Sequence, residues 1–133
     1  MINVWLLLYV LLGHWVADFL CQARWMAENK YRDWHALCAH AIMYGFVMFA
    51  WIAIGFVCAS KSISEPLMKS ATDFAVMSML MHMTVDAITS RITHKLWDKK
   101  CVKGFFDVIG LDQFIHSACL IWAIVVCFGG NWQ

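Results

Sequence analysis

The sequence predicts an all-α integral membrane protein, a bundle of four transmembrane helices with both chain ends outside. Three observations carry this. Of the 133 residues 62% are hydrophobic and 14% charged, where a soluble domain has about a quarter charged. The apolar residues fall into four stretches of the length a membrane span needs. None of the stretches alternates with a two-residue period, which disfavours a transmembrane barrel. Seven Gly and one Pro exclude collagen-like and low-complexity chains. A net charge of +1 leaves no basic footprint for nucleic acid.

The first span is expected at about 1–22 and the second at about 36–59. The third is expected at about 74–90 and the fourth at about 105–129, so that residues 1–133 form a single transmembrane domain. The first does not read as a cleaved signal peptide: it lacks a basic start and contains His14 and Asp18. Residues 23–35 suit a short interfacial helix with Trp25, Met26 and Trp34 against lipid. Asp73 reads as a cap at the start of span three.

Orientation follows from the basic residues. Arg24, Lys30 and Arg32 follow span one, and Arg91, Lys95, Lys99, Lys100 and Lys103 follow span three. Only Lys61 and Lys69 lie in the middle loop. The positive-inside rule then puts the first and third loops in the cytoplasm of an inner-membrane, multi-pass protein. Trp25, Trp34 and Trp97 flank the inner boundary and Trp132 the outer one.

Polar residues inside the spans are the informative feature. His14, Asp18 and Gln22 stand at i, i+4 and i+8, which is one helical stripe. His82 and Asp86 are four apart, as are His40 and Tyr44. In span four, Asp112 precedes His116 by four, with Gln113 beside it. Spans one and three run inward and span four outward, so the reversed order keeps each His deeper than its Asp. At about 1.5 Å per residue the Asp lie roughly 6–8 Å inside the cytoplasmic boundary and the His roughly 12–14 Å. His40 falls near the Asp layer.

Intramembrane ionisable groups cost about 2.5–3.5 kcal/mol each at the bilayer centre unless they find partners. His–Asp pairs that merely lock the helices together are one solution, worth about 1 kcal/mol or less each. A divalent metal is the other, since imidazole and carboxylate suit Zn, Fe or Mn. The expected ligands are His14, Asp18, His82, Asp86, Asp112 and His116, serving one ion or two. His40 or Tyr44 would be the general base or oxyanion donor.

The motifs H-x3-DF-x2-Q (14–22), H-x3-Y (40–44), H-x3-D (82–86) and DQ-x2-H (112–116) resemble an uncharacterised family of small bacterial and phage membrane proteins. The chain departs from that pattern at Thr89, where the family has Lys. The resemblance implies a four-helix membrane protein and brings no activity with it. A fainter similarity links it to membrane-embedded, metal-dependent hydrolases, by analogy only.

Six Cys show no C-x-x-C spacing; Cys58 and Cys127 both approach the outer face and are candidates for a disulfide. Three classes of function follow. One is a metal-dependent hydrolase acting on a membrane lipid or lipid-linked substrate from the cytoplasmic leaflet. Another is a metal or proton transporter, for which Asn3, Ser78, Thr72 and Asp73 would have to extend the path outward. The last is a non-catalytic phage or bacterial module with a structural polar core, its lysine-rich loop docking lipid or envelope partners. The chain can also form a homo-oligomer. Haem is disfavoured, because the paired Asp would be anions without a role beside it.

Overall fold

The structure, a computed structural model, describes residues 4–59 and 64–129. Asn3, Lys61 and Trp132 lie outside the described residues. Among these residues every regular element is helical: α1 (Val4–Trp15), a π turn (Val16–Leu20), α2 (Arg24–Asn29), α3 (Trp34–Cys58), α4 (Glu65–Asp98) and α5 (Val102–Phe128). Helices α3 and α5 are long and apolar enough to cross a membrane. The run Val4–Leu20 is apolar but shorter.

Helix α4 is longer than the expected span at both ends, for local reasons. Glu65 and Pro66 open it after Ser64, and Pro is tolerated in a first turn because that N–H has no intrahelical partner. Asp73 is therefore not a cap but lies inside the helix, accepting from Lys69 Nζ one turn earlier at 2.6 Å. The other end stops in a Schellman motif. Lys100 adopts a left-handed φ of 55°. Its N–H reaches Trp97 O at 2.9 Å, and that of Cys101 reaches Leu96 O at 2.9 Å. Helix α4 is not among the helices apolar enough to cross a membrane, because Ser78, His82, Thr84 and Asp86 lie within its apolar stretch.

The loop before α3 is shorter than an interfacial helix over 23–35. Helix α2 holds six residues, and the Asp33 side chain accepts from His35 N at 2.9 Å to cap α3. Tyr31 stacks on His94 of α4 with centroids 3.6 Å apart. Arg91 lies 4.6 Å over the Trp34 ring. These two contacts tie the α2 segment and the start of α3 to α4.

Buried residues recur every three or four positions, for example Leu37, His40, Tyr44, Met48, Ile52 and Phe56 on α3. They separate by chemistry along the bundle. Val10, Met48, Ile52, Phe56, Phe74, Leu120, Ile124 and Phe128 form an apolar core, while the buried His and Asp gather toward the end that carries α2. Outward faces are also apolar, with Trp5, Phe46, Phe114 and Leu20 each more than 60% exposed. All six Cys are free thiols, Cys58 and Cys127 included.

Helices α1 and α3 approach closely where Gly13 faces Trp51. Trp51 Nε1 donates to Tyr9 O at 2.9 Å, and Tyr9 O–H donates to Trp51 O at 2.5 Å. The reciprocal pair fixes α1 at the depth where His14 follows.

Candidate metal centre

Four side chains from three segments converge on one point. Asp18 comes from the π turn, His40 from α3, and His82 and Asp86 from successive turns of α4; none is more than 4% exposed. The π turn matters because Cys21 N reaches back five residues to Val16 O, at 2.9 Å. Such a widened turn inserts a residue into the helical register and is common at functional sites. It ends the helix before Gln22, so the three-residue stripe expected of span one does not run unbroken.

The distances among the four ligating atoms are short. His40 Nε2 lies 2.9 Å from His82 Nε2, and 3.2 Å from both Asp18 Oδ1 and Asp86 Oδ2. His82 Nε2 lies 3.4 Å from Asp18 Oδ1 and 3.5 Å from Asp86 Oδ2. A tetrahedral ion with ligands at about 2.0–2.2 Å has ligand–ligand edges of about 3.3–3.6 Å. These are five of the six edges of such a tetrahedron, four of them within a few tenths of an ångström of that range. The residues fit a divalent ion.

A second group shares Asp86. His116 Nε2 is 3.5 Å from Asp86 Oδ1 and 3.4 Å from Asp112 Oδ1, and it makes no hydrogen bond. Asp86, Asp112 and His116 can hold an ion with three protein ligands, the number usual where a position is left for water or substrate. Thr89 O–H donates to Asp112 Oδ1 at 2.6 Å. Gln113 Nε2 donates to Asp112 Oδ2 at 3.0 Å and more distantly to Asp18 Oδ2 at 3.4 Å.

His14 is placed differently from its partners. Its Nε2 faces Gln113 Oε1 at 3.4 Å and its Nδ1 faces Tyr44 Oη at 3.0 Å. A consistent assignment has Nε2–H donating to Gln113 and the Tyr44 hydroxyl donating to Nδ1. Both nitrogens are then engaged, and His14 belongs to neither ligand group. Tyr44 also stacks on His82, with centroids 4.0 Å apart and planes at 4°. The structure thus brings Asp18, His82, Asp86, Asp112 and His116 together and adds His40 to them as a ligand. His14 and Tyr44 stand behind, orienting Gln113 and His82. His40 Nδ1 and His82 Nδ1 are buried without hydrogen-bond partners.

Sequence reasoning missed Lys30. It sits just after α2, and its Nζ lies 2.7 Å from Asp86 Oδ2, with the carboxylate 3% exposed. In the sequence it was one of three basic residues in a loop, and no spacing separated it from Arg24 and Arg32. A cavity of about 340 Å³ opens from the centre toward α2. Asp18, Asp86, Asp112, Gln113, Lys30 and Thr89 supply its polar wall; Phe19, Trp97, Phe105 and Ile109 supply its apolar one. The three Asp line this cavity and His14, His40, His82 and His116 do not, so the Asp layer stands between these imidazoles and the opening.

A family described as "Protein of unknown function (DUF3307)" matches residues 6–133 of the chain. No curated protein and no solved structure matches it.

Proposed function

The chain belongs to this family of unknown function, and on the geometry of its centre we propose that it is a membrane-embedded, metal-dependent hydrolase. The observation that carries the reading is the set of five distances, 2.9–3.5 Å, among four buried ligating atoms. A divalent ion there offsets the burial cost of two carboxylates, which His–Asp hydrogen bonds alone do less well. When bound, such an ion polarises an ester oxygen and lowers the pKa of water toward about 7.

The chain's own residues do the rest. Asp18, His40, His82 and Asp86 hold the ion, and Asp112 with His116 extends the centre toward the cavity. His14 and Gln113 keep the carboxylates of Asp18 and Asp112 aimed, and Tyr44 holds the His82 ring by stacking. Lys30 presents an ammonium to an anionic group entering the cavity. Hydrolysis adds water across the scissile bond: a new bond forms from water oxygen to phosphorus or carbonyl carbon. The bond to the leaving oxygen breaks, and a water proton passes to that oxygen.

Membrane placement is part of the same proposal. Wide apolar outer faces on every long helix are unusual for a soluble monomer. The cavity opens at the end that carries Arg24, Lys30, Arg32 and the lysines following α4, which is the cytoplasmic end under the positive-inside rule. A substrate reaching this depth is a lipid or lipid-linked compound. Conduction is a weaker reading, since the apolar core from Val10 to Phe128 closes the far half of the bundle.

The test is elemental analysis of detergent-purified protein, kept free of chelator throughout. At least one equivalent of Zn, Fe or Mn is expected, and less than about half an equivalent of any of them refutes the proposal. Topology is tested with single-cysteine variants retaining Cys101 or Cys58, both exposed. An impermeant maleimide should label the first from inside and the second from outside.

A further inference from the structure

We propose that the centre takes two divalent cations joined by the Asp86 carboxylate, the second of them open to the phosphate-ester headgroup of a membrane amphiphile. This rests on the metal reading above and extends it in number of ions and in substrate class.

The first observation is how Asp86 is shared. Its Oδ2 faces His40 and His82, at 3.2 and 3.5 Å, while its Oδ1 faces His116 at 3.5 Å. One carboxylate presenting its two oxygens to two ligand groups is the arrangement of a bridge, and bridged ions stand about 3.5–4 Å apart. The second observation is His116 itself. It is 2% exposed, and its Nε2 is without a hydrogen bond although two carboxylate oxygens lie near it. That nitrogen's contacts among the described residues are the 3.4–3.5 Å approaches to Asp112 Oδ1 and Asp86 Oδ1, the two other members of the second group. Asp112 completes the group, its Oδ1 fixed by Thr89 and its Oδ2 by Gln113.

The two groups differ in access. The first has four ligands and is closed. The second has three, and two of them, Asp86 and Asp112, line the cavity.

Charge then selects the ligand. Asp18, Asp86 and Asp112 carry three negative charges and Lys30 one positive; Glu28, which also lines the cavity, is balanced by Arg24 at 2.7 Å, and neutral imidazoles carry none. One dication brings the centre to zero and creates no demand for an anion. Two leave an excess of two positive charges in a buried setting, where unbalanced charge is costly. A phosphate monoester, carrying about −1.5 to −2 near neutral pH, cancels it. Lys30 Nζ, already at the cavity wall and 2.7 Å from Asp86, is placed to take a phosphoryl oxygen. The apolar wall of Phe19, Trp97, Phe105 and Ile109 suits the acyl or isoprenoid part of an amphiphile.

The experiment uses the full chain in detergent, loaded separately with Zn2+ and Mn2+. Wild type should retain two equivalents, and the Mn2+ form should give an exchange-coupled paramagnetic resonance spectrum. His116→Ala and the more conservative Asp112→Asn should each retain one equivalent, with the coupling lost. A single uncoupled equivalent in wild type overturns the two-cation proposal and leaves the one-ion reading standing; no retention of either metal overturns both. Radiolabelled inorganic phosphate should bind the two-cation form, at least tenfold more weakly to the one-cation variants, and at least tenfold more weakly to Lys30→Ala at unchanged metal content. Phosphate binding that is absent, or indifferent to the second cation, overturns the substrate class. Dihexanoyl phosphatidic acid should displace the label at lower concentration than glycerol phosphate; equal displacement overturns the amphiphile.

Discussion

Replacing Gly13 by Ala tests whether α1 is seated on α3 as closely as the site requires. A Cβ at position 13 would stand 2.5, 2.7 and 2.8 Å from Trp51 Cδ1, Nε1 and Cγ. Real Cβ atoms do not approach so closely, so the indole or the helix must move. Trp51 is not free to swing: it stacks on Tyr9 with centroids 5.2 Å apart and donates to Tyr9 O. Two effects oppose each other. Alanine is the better helix former by about 0.8–1 kcal/mol. Overpacking costs about 1–3 kcal/mol, and losing the indole hydrogen bond adds about 0.5–1.5 kcal/mol. Packing wins, and the net expectation is a destabilisation of about 1–3 kcal/mol. Gly110→Ala is the control, because nothing lies within 4 Å of a Cβ there and only the propensity gain of roughly 0.5–1 kcal/mol remains. Unfolding in mixed micelles with increasing dodecyl sulfate, followed by circular dichroism, measures both. If Gly13→Ala matches or exceeds wild type while Gly110→Ala is stabilised, the close seating of α1 is wrong.

Other outcomes follow from the same geometry. Thr89→Val keeps the side-chain shape but removes the donor to Asp112 Oδ1; loss of such an orienting bond costs about 10–100-fold in metal affinity, read by competition with a fluorescent chelator. Affinity within twofold of wild type would show that Thr89 does not orient Asp112. Lys100→Gly relieves a left-handed φ of 55° and should stabilise the fold by about 1 kcal/mol, raising the melting temperature at unchanged metal content. Stripping metal with a chelator should lower stability by about 2.7 kcal/mol relative to protein held at a hundredfold excess over Kd. A melting curve indifferent to chelator would argue that no ion supports the fold.

Much of the centre could be read from spacing alone. His82–Asp86 and Asp112–His116 each lie one turn apart on a helix, and one turn is enough to put both on the same face. The reversal of order in span four placed them at one depth, and the structure does assemble Asp18, His82, Asp86, Asp112 and His116. What spacing does not contain is rotation between helices. His14 and His40 look alike in sequence, each heading an i, i+4 pair. The structure turns His40 into the ligand group and His14 toward Tyr44 and Gln113. Lys30 was invisible for another reason: its role depends on a short loop folding back over the bundle, pinned by the Tyr31–His94 stack. The ends of α4 were misjudged because an apolar window stops where polarity begins. A helix continues for as long as its backbone bonds and i, i+4 pairs such as Lys69–Asp73 support it.

The π turn at Val16–Leu20 takes up one extra residue between α1 and the loop that leads to α2. One residue turns an α-helix by about 100°. Excising a single residue there would return the turn to ordinary α-helix, leaving the packing from Val4 to His14 and the downstream Lys30 segment in place while moving the turn's own Asp18 off its bearing. The anchoring half of this helix and its chemical half can therefore vary separately. A one-residue deletion confined to that turn would yield a protein that still packs yet no longer sets Asp18 beside His40 and His82.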